Sequence, residues 1–215
     1  MHKPTDTHWA ACKRILRYLK GYPDLGLLIR PSPSLHLYGF TDADWASNLD
    51  DRRSTGDYCI FLGENLVSWS SRKQHVVARS STESEYRALA SGAAELSWLR
   101  SLLRELQLPL TSTPILWCDN QSAGSLASNP VFHARTKHIE IDVHFVREKV
   151  LQKSLEVRYV PSCDQLADVL TKVLPTARFQ HLRSKLNVLP PPFRLKGDVS
   201  ISGTSTPATD LSVIS

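Results

Sequence analysis

Four carboxylates in this sequence lie where predicted strands and helices begin or end. Asp42 ends an apolar run, Glu85 opens a long amphipathic segment, Asp119 follows the run ILWC, and Asp168 lies in a predicted helix. Burying a charged carboxylate is costly unless another charge compensates it. Carboxylates that converge without cationic partners repel one another, and a bound divalent cation is the usual resolution.

The chemistry of such a group follows from its oxygen-only ligands. They favour Mg²⁺ or Mn²⁺ over zinc. Two such ions about 4 Å apart suit in-line phosphoryl displacement, because one activates a water and the other stabilises the leaving oxygen. The eight histidines and four cysteines show no zinc-ligand spacing. Each acid taken singly is typical of a turn, a helix start or an exposed surface, and spacing does not show that they meet.

Three strands and a long helix must position the first two acids. LHLYGFTD predicts a strand that ends at Asp42, and YCIFLGENLVSWSS predicts a hairpin that turns at GEN. SSTESEYRALASGAAELSWLRSLLRELQL predicts the strongest helix, with Ser81 or Thr82 as its N-cap. Glu85 shares a helix face with Leu89, so we expect it to point toward the sheet.

The second half of the chain continues the alternation of strands and helices. The predicted order is a strand (ILWCD), two helices (NQSAGSLASN and TKHIEIDVHFVREKVLQ), a strand (SLEVRYV) and two more helices (SCDQLADVLTKVL and ARFQHLRSKLNV). Asp119 lies just past the carboxyl end of a strand, where α/β sheets usually bind ligands. The fold class predicted is therefore α/β, a mixed sheet with helices packed on it.

The two ends of the chain differ from this core. DTHWAACKRILRYLK predicts an amphipathic helix, and we expect it to dock on the domain because its apolar face must be covered. From residue 190 onward the sequence lacks periodicity and is rich in Pro, Ser and Thr, which predicts disorder.

Composition sets limits on the class of protein. A length of 215 residues suffices for one sizeable core with appendages, and a net charge of +5 permits a polyanionic partner without demanding one. The sequence has neither a secretory signal nor a run of roughly 20 apolar residues. The dispersed cysteines predict free thiols, so we expect an intracellular, reducing compartment and no membrane association.

Five blocks resemble the ribonuclease H domain of Ty1/copia-type retrotransposon polyproteins. They are TDADWASNLDDRRSTGDYCIFLG, SWSSRKQHVVARSSTESEYRALA, CDNQSA, NPVFHARTKHIEIDVHFVRE and QLADVLTK. The opening HWAACKRILRYLKGYPDLGL resembles the end of the preceding reverse-transcriptase region, while no YVDD-like polymerase element occurs. The resemblance implies a helical remnant of the reverse transcriptase over 1–34 and a ribonuclease H-like domain over 35–188. The predicted disordered tail then covers 189–215.

This resemblance implies a ribonuclease H-like fold with a five-stranded mixed sheet flanked by helices. It also implies a two-Mg²⁺ site that cuts the RNA strand of an RNA·DNA hybrid and leaves a 5′-phosphate and a 3′-hydroxyl. Matched by motif, the catalytic residues and metal ligands are Asp42, Glu85, Asp119 and Asp168. Glu83 is a rival for the helix position and Asp164 for the last position, and both rank lower.

Substrate recognition follows from the shape of the hybrid. Its wide, shallow minor groove carries 2′-hydroxyls, which polar side chains beside the acids could contact, and its phosphates suit basic side chains. The candidates are Ser81, Thr82, Asn120, Gln121 and Ser122 for the groove, and Arg72, Lys73, Arg79, Arg135 and Lys137 for phosphates. His138 belongs to the copia-type pattern and either contacts substrate or caps a helix. Asp44 is either a supporting residue at the site or a surface residue.

The resemblance also implies partners and a location. The partners are the RNA·DNA hybrid and the reverse-transcriptase polymerase region, and the oligomeric state stays open. The expected location is cytoplasmic, in virus-like particles, with the nucleus as a second compartment. The alternative function is a catalytically silent transposon-derived fragment or a nucleic-acid-binding module. An integrase-like nuclease or resolvase fits less well, because STESEY places a glutamate on the long helix after the hairpin.

Overall fold

The computed structural model describes residues 3–108, 110–128 and 139–191. The helices are α1 (Asp6–Gly21), α2 (Ser81–Glu105), α3 (Gln121–Ser128), α4 (Glu140–Leu151), α5 (Asp168–Thr171) and α6 (Thr176–Lys185). The strands are β1 (Gly26–Leu27), β2 (Leu37–Asp44), β3 (Thr55–Leu62), β4 (Asn65–Lys73), β5 (Ile115–Cys118), β6 (Glu156–Tyr159) and β7 (Val188–Leu189).

The main sheet has five strands in the order β4-β3-β2-β5-β6. Strands β2, β3 and β4 form an antiparallel meander, whereas β5 runs parallel to β2 and β6 parallel to β5. Helices pack on both faces of this mixed sheet. The predicted α/β architecture, a five-stranded mixed sheet flanked by helices, is therefore confirmed.

The hairpin predicted around GEN is also confirmed, since β3 and β4 pair on either side of Gly63 and Glu64. Gly63 has a φ of +58°, and an added Cβ there would collide with the Ser32 side chain. Glycine is the residue that adopts this left-handed conformation at little cost. The turn therefore fixes the register of the two strands.

Helix α2 packs across β2 and β3 and supplies much of the core on that face. The approach is close at Gly92, where an added Cβ would lie 2.6 Å from Thr41 Cγ2. The N-cap prediction of Ser81 or Thr82 is wrong: the helix begins one residue earlier, and the Ser80 side chain accepts a hydrogen bond from the Glu83 backbone N–H. Ser80 has extended backbone angles, which suits an N-cap residue.

The opposite face of the sheet is covered by the segment that contains α5 and α6. A second apolar cluster there joins Cys59 and Phe61 of β3 to Leu166 and Leu182. The single helix predicted over SCDQLADVLTKVL is wrong, because a 3-10 turn (Ser162–Asp164) and the short α5 are separated by Gln165 in an extended conformation. The helix predicted over ARFQHLRSKLNV is confirmed as α6.

Helix α1 does not dock in the way that its sequence predicts. None of its described residues is buried, and Trp9, Ile15, Leu16 and Leu19 are each more than half exposed. Helix α6 approaches the last turn of α1, where the Tyr18 ring lies 6.1 Å from the Phe179 ring. The expectation that the domain covers the apolar face of α1 is therefore wrong.

The chain on either side of the main domain is held by a small second sheet. Strand β1 pairs with β7, and Leu27 and Val188 pack against the second apolar cluster. Residue 189, assigned to the disordered tail by the sequence, is thus the end of a strand, and residues 192–215 lie outside the described part. Among the described helices, none combines the length and apolar character needed to span a membrane.

Candidate active site

The four predicted acids converge at one edge of the main sheet. Carboxylate oxygens of Asp42, Asp119 and Asp168 lie within 4.8 Å of one another. Ligand atoms of Glu85, Cys118 and Asp119 satisfy the same limit, so Asp119 belongs to both groups. The structure thus brings together residues up to 126 positions apart in the sequence, while their catalytic role stays a prediction.

The sheet and two helices account for this convergence. Strands β2 and β5 are parallel neighbours with Thr41 opposite Cys118, so the residues that follow, Asp42 and Asp119, lie side by side. Glu85 comes from the first turn and a half of α2, which crosses these strands. Asp168 is the first residue of α5, which contacts β2 and β3 from the other face.

Four negative charges on these neighbouring carboxylates would be electrostatically unfavourable. Burial, together with the charges of Asp42 and Asp119, raises the pKa of Glu85 to about 9. Burial also raises the pKa of Asp42, although Lys172 opposes that shift. Glu85 Oε2 is buried without a hydrogen-bond partner among the described residues. An unpaired carboxylate oxygen next to two other carboxylates fits a hard divalent cation.

The thiol of Cys118 belongs to the same edge but not to the same chemistry. Burial raises its pKa to about 12, so it stays a neutral thiol, and its Sγ accepts a hydrogen bond from the Asn120 N–H. Metals bind cysteine as the thiolate. The donor set available at neutral pH is therefore made of oxygen atoms.

Two basic side chains also reach the acids. Lys172 Nζ lies 2.6 Å from Asp168 Oδ1 and 3.1 Å from Asp42 Oδ1. Arg178 Nη2 donates to Asp168 Oδ2 at 2.6 Å. Sequence reasoning missed both residues, although Lys172 lies within the quoted QLADVLTK block.

That block supplies two further contacts that the sequence analysis missed. The Thr171 hydroxyl donates to Asp42 Oδ2 at 3.1 Å. Gln165 is fully buried, and its Nε2 donates to the Thr41 carbonyl at 2.9 Å while its Oε1 accepts from the Ala167 N–H. Gln165 thereby fixes the start of α5 against β2. The signal was present in the motif, but only its acid had been given a role.

The two rival acids have other partners. Glu83 accepts from the Arg79 backbone N–H at 2.8 Å and pairs with Arg87 at 2.9 Å, so it stabilises the start of α2. Asp164 is exposed and lies 3.7 Å from Lys185. Neither residue belongs to the two clusters of possible metal ligands found among the described residues. The geometry favours Glu85 and Asp168, as the motif match does.

A fifth carboxylate, Asp57, was missed altogether. It lies directly opposite Asp42 in the β2–β3 pairing and is 2% exposed. Neither of its oxygens has a hydrogen bond of good geometry with the described residues, and burial followed by the charge of Asp42 raises its pKa to about 9. The sequence analysis assigned this residue to no element, because the predicted strand began at Tyr58.

Replacing Asp57 with asparagine is expected to stabilise the metal-free protein at alkaline pH. In the folded protein the Asp57 carboxyl keeps its proton up to a pKa of about 9, whereas in the unfolded chain its pKa has the ordinary value of 3.8. The wild type therefore loses stability as the pH rises from the unfolded pKa to the folded one. Asparagine removes this loss. The gain should be near zero at pH 4 and a few kcal/mol at pH 8.5, roughly 5–10 °C in melting temperature.

Melting curves of both proteins in EDTA across this pH range check the prediction. A wild-type stability that is flat between pH 5 and pH 9, or an asparagine variant that is less stable than the wild type at pH 8.5, would contradict it.

The predicted substrate contacts divide into three sets. Ser81, Thr82, Gln121 and Ser122 lie at the first turns of α2 and α3. The Asn120 side chain accepts from the Ala123 N–H at 3.0 Å and so caps α3, while Lys73 pairs with Asp51 at 2.6 Å. Arg72 is exposed on β4, and Arg79 precedes α2. Arg135, Lys137 and His138 lie outside the described residues, and all these roles stay predictions.

Comparison with known proteins identifies the source of these features. No family model matches the chain. Over 89% of its length the chain is 49% identical to the retrovirus-related Pol polyprotein from transposon RE2 of Arabidopsis thaliana, and over 87% it is 50% identical to that from transposon RE1 of the same plant. The chain is homologous to a segment of Ty1/copia-type, retrovirus-related Pol polyproteins. It spans 13% of the length of each of these two relatives.

Among solved structures, the chain is similar to LC11-RNase H1 in complex with an RNA/DNA hybrid. The TM-score is 0.48 at 13% sequence identity, and the match covers 63% of this chain and 93% of that one. The Pol homology confirms the resemblance that the five sequence blocks carry.

Proposed function

We propose that this Pol segment is a divalent-metal-dependent endonuclease that hydrolyses the RNA strand of RNA·DNA hybrids. The observation that carries the proposal is the convergence of Asp42, Asp119 and Asp168, with a carboxylate oxygen of Glu85 within 4.8 Å of one of Asp119. Homology to Pol polyproteins supports it, because such a polyprotein is expected to join this activity to a reverse-transcriptase polymerase region.

The residues that would hold the ions are Asp42, Glu85, Asp119 and Asp168. Their oxygen-only donor set and the unpaired, buried Glu85 oxygen fit Mg²⁺, with Mn²⁺ as a substitute. When bound, two such ions supply an activated water and stabilise the leaving oxygen of an in-line displacement.

The protein's own residues orient this set. Thr171 fixes one oxygen of Asp42, Ser162 donates to Asp119 Oδ2 at 3.1 Å, and Arg178 holds Asp168 Oδ2. Residues that fix the ligands of a metal preorganise the site and affect activity. The exposed side chains at the first turns of α2 and α3 stand beside the acids, where they would contact 2′-hydroxyls of the minor groove.

A nucleic-acid-binding module without catalysis is the second candidate. The observation that favours it is the Lys172 ammonium between Asp42 and Asp168, since a fixed cation could replace a metal permanently. The two candidates differ in one measurable respect. The nuclease loses RNA cleavage in EDTA, whereas the module binds hybrid and never cuts it.

Two further proposals concern the polymerase region as a partner and the location of the protein in the cell. The exposed apolar side chains of α1 are the surface we expect the polymerase region to cover. An intracellular location, in virus-like particles and the nucleus, is proposed from the homology alone.

A matched pair of glutamate variants tests the function. Glu85→Gln should reduce hybrid cleavage by more than about a hundredfold, beyond the loss typical of residues that only support a metal ligand. Glu83→Gln should keep cleavage within a few-fold of wild type and lower only the melting temperature, because Glu83 stabilises the start of α2. Strand-resolved cleavage of a labelled hybrid and melting curves give both readouts. Equal activity in the two variants would exclude Glu85 from the site.

A further inference from the structure

The ammonium group of Lys172 makes short contacts with the carboxylate cluster. Lys172 Nζ lies 2.6 Å from Asp168 Oδ1 and 3.1 Å and 3.0 Å from the two oxygens of Asp42. Three carboxylate oxygens from two residues thus converge on one ammonium group. Asp42 and Asp168 are both buried, and Lys172 forms a salt bridge with each of them, while Arg178 forms a second one with Asp168.

The same oxygens belong to the group that fits a divalent ion. Those of Asp42, Asp119 and Asp168 lie within 4.8 Å of one another, and the ammonium contacts those of Asp42 and Asp168. An ammonium and a divalent cation cannot share these short contacts, because their charges repel and each needs the same lone pairs. Lysine carries a positive charge at neutral pH, and here three carboxylate oxygens lie within 3.1 Å of that charge.

Lys172 also has a route out of the cluster. It lies just after the end of α5 with extended backbone angles, and its side chain is 36% exposed. A lysine ends in a compact charge on a flexible four-carbon stem, so the head can move while the backbone stays. Arg178 differs, because it donates to both Asp168 Oδ2 and the Ser162 carbonyl and can keep Asp168 in place.

We propose that Lys172 is a built-in, displaceable counter-ion that competes with the divalent ion for Asp42 and Asp168. The inference rests on the proposed metal site and deepens it. In the metal-free protein the ammonium holds the two buried carboxylates; without it Asp168 would keep Arg178, whereas Asp42 would lose its salt bridge. A divalent ion enters only by displacing it, so Lys172 sets the metal concentration at which the site fills.

The first test measures metal binding without nucleic acid. Titration calorimetry with Mg²⁺ and with Mn²⁺ compares wild type, Lys172→Gln and Lys185→Gln. Lys185→Gln is the matched control, because it removes the same charge from an exposed ion pair with Asp164. Lys172→Gln should bind the ions about tenfold or more tightly than wild type, while Lys185→Gln should match wild type.

Melting curves complete the thermodynamic cycle. In EDTA, Lys172→Gln should melt below wild type, because Asp42 loses its salt bridge and Asp168 keeps only that with Arg178. Saturating Mg²⁺ should raise its melting temperature by more than that of wild type, since a ligand stabilises in proportion to the logarithm of its concentration over the dissociation constant.

A second test uses the wild-type protein and does not depend on a variant that folds. Lysines are labelled with an amine-reactive ester, and the modification of Lys172 is followed by mass spectrometry with EDTA and with Mg²⁺. Labelling should be slow in EDTA and several-fold faster in Mg²⁺, while labelling of Lys185 should not change.

The outcomes separate this inference from the proposed function. Metal binding by both wild type and Lys172→Gln with equal affinity, or Lys172 labelling that ignores Mg²⁺, would overturn the counter-ion role and leave the metal site intact. No binding of Mg²⁺ or Mn²⁺ by either protein at millimolar concentration would overturn the metal site itself.

Discussion

Replacing Asp42 with asparagine is expected to reduce RNA-strand cleavage by at least about a thousandfold, which corresponds to about 4 kcal/mol of transition-state stabilisation. Asp42 is fully buried and lies beside Asp119 and Asp168, so the variant removes a central charge of the cluster without changing its shape. The fold should persist, because asparagine has nearly the same shape as aspartate and Lys172 keeps its salt bridge with Asp168. Initial rates on a labelled hybrid, with circular dichroism on the same samples, measure both effects.

The matched control for this substitution is Asp164→Asn. Asp164 is exposed, lies in the turn before Asp168 and pairs only loosely with Lys185 among the described residues. Its variant should cleave within about threefold of wild type. If Asp164→Asn lost activity while Asp42→Asn kept it, the assignment of the cluster would be wrong.

Replacing Gln165 with leucine is expected to weaken both the fold and the site. The change removes the partners of the Thr41 carbonyl and the Ala167 N–H in a fully buried position. Two buried, unpaired backbone groups should lower the free energy of unfolding by about 2–4 kcal/mol. Cleavage should fall by about 10–100-fold in the fraction that stays folded, because α5 then holds Asp168 less firmly.

Denaturant titration and cleavage rates check this result, with Gln152→Leu as the control. Gln152 is exposed at the end of α4 and bonds only to its helix neighbour Glu148 among the described contacts, so its loss should cost less than about 0.5 kcal/mol. A Gln165→Leu variant as stable and as active as the control would show that this glutamine does not brace the site.

Sequence periodicity predicted the elements well where the signal is local. The alternation in β2, the GEN turn and the long apolar stripe of α2 each depend on residues within a few positions. The placement of Glu85 on the inward face of α2 and of Asp119 past β5 followed from the same patterns. Local periodicity is carried by the backbone geometry of each element, which explains this success.

The contacts that complete the cluster could not be predicted in this way. Lys172 and Asp42 are separated by 130 positions and Gln165 and Thr41 by 124, so only the folded sheet brings them together. The break before α5 was missed for the same reason, since the buried hydrogen bonds of Gln165 override a helical pattern. Asp57 was missed because β3 begins three residues before the predicted strand.

For helix α1 the amphipathic pattern was correct, but the contact predicted from it, docking of its apolar face on the domain, was wrong. Its apolar stripe is real, but the described part of the domain leaves the stripe exposed and makes contacts near the end of the helix, where the Arg183 guanidinium lies 4.9 Å from the ring centre of the C-cap residue Tyr22. An amphipathic pattern predicts that a face becomes covered and does not specify by which surface.

The most direct test of the proposed nuclease is strand-resolved cleavage by the purified wild-type chain. An RNA·DNA hybrid labelled on each strand in turn is incubated with Mg²⁺, with Mn²⁺ and with EDTA, and the ends of the products are identified. We predict cuts in the RNA strand alone, with 5′-phosphate and 3′-hydroxyl ends, in either metal and none in EDTA. Intact RNA after incubation with folded, metal-saturated protein, or equal cutting of the DNA strand, would contradict the account.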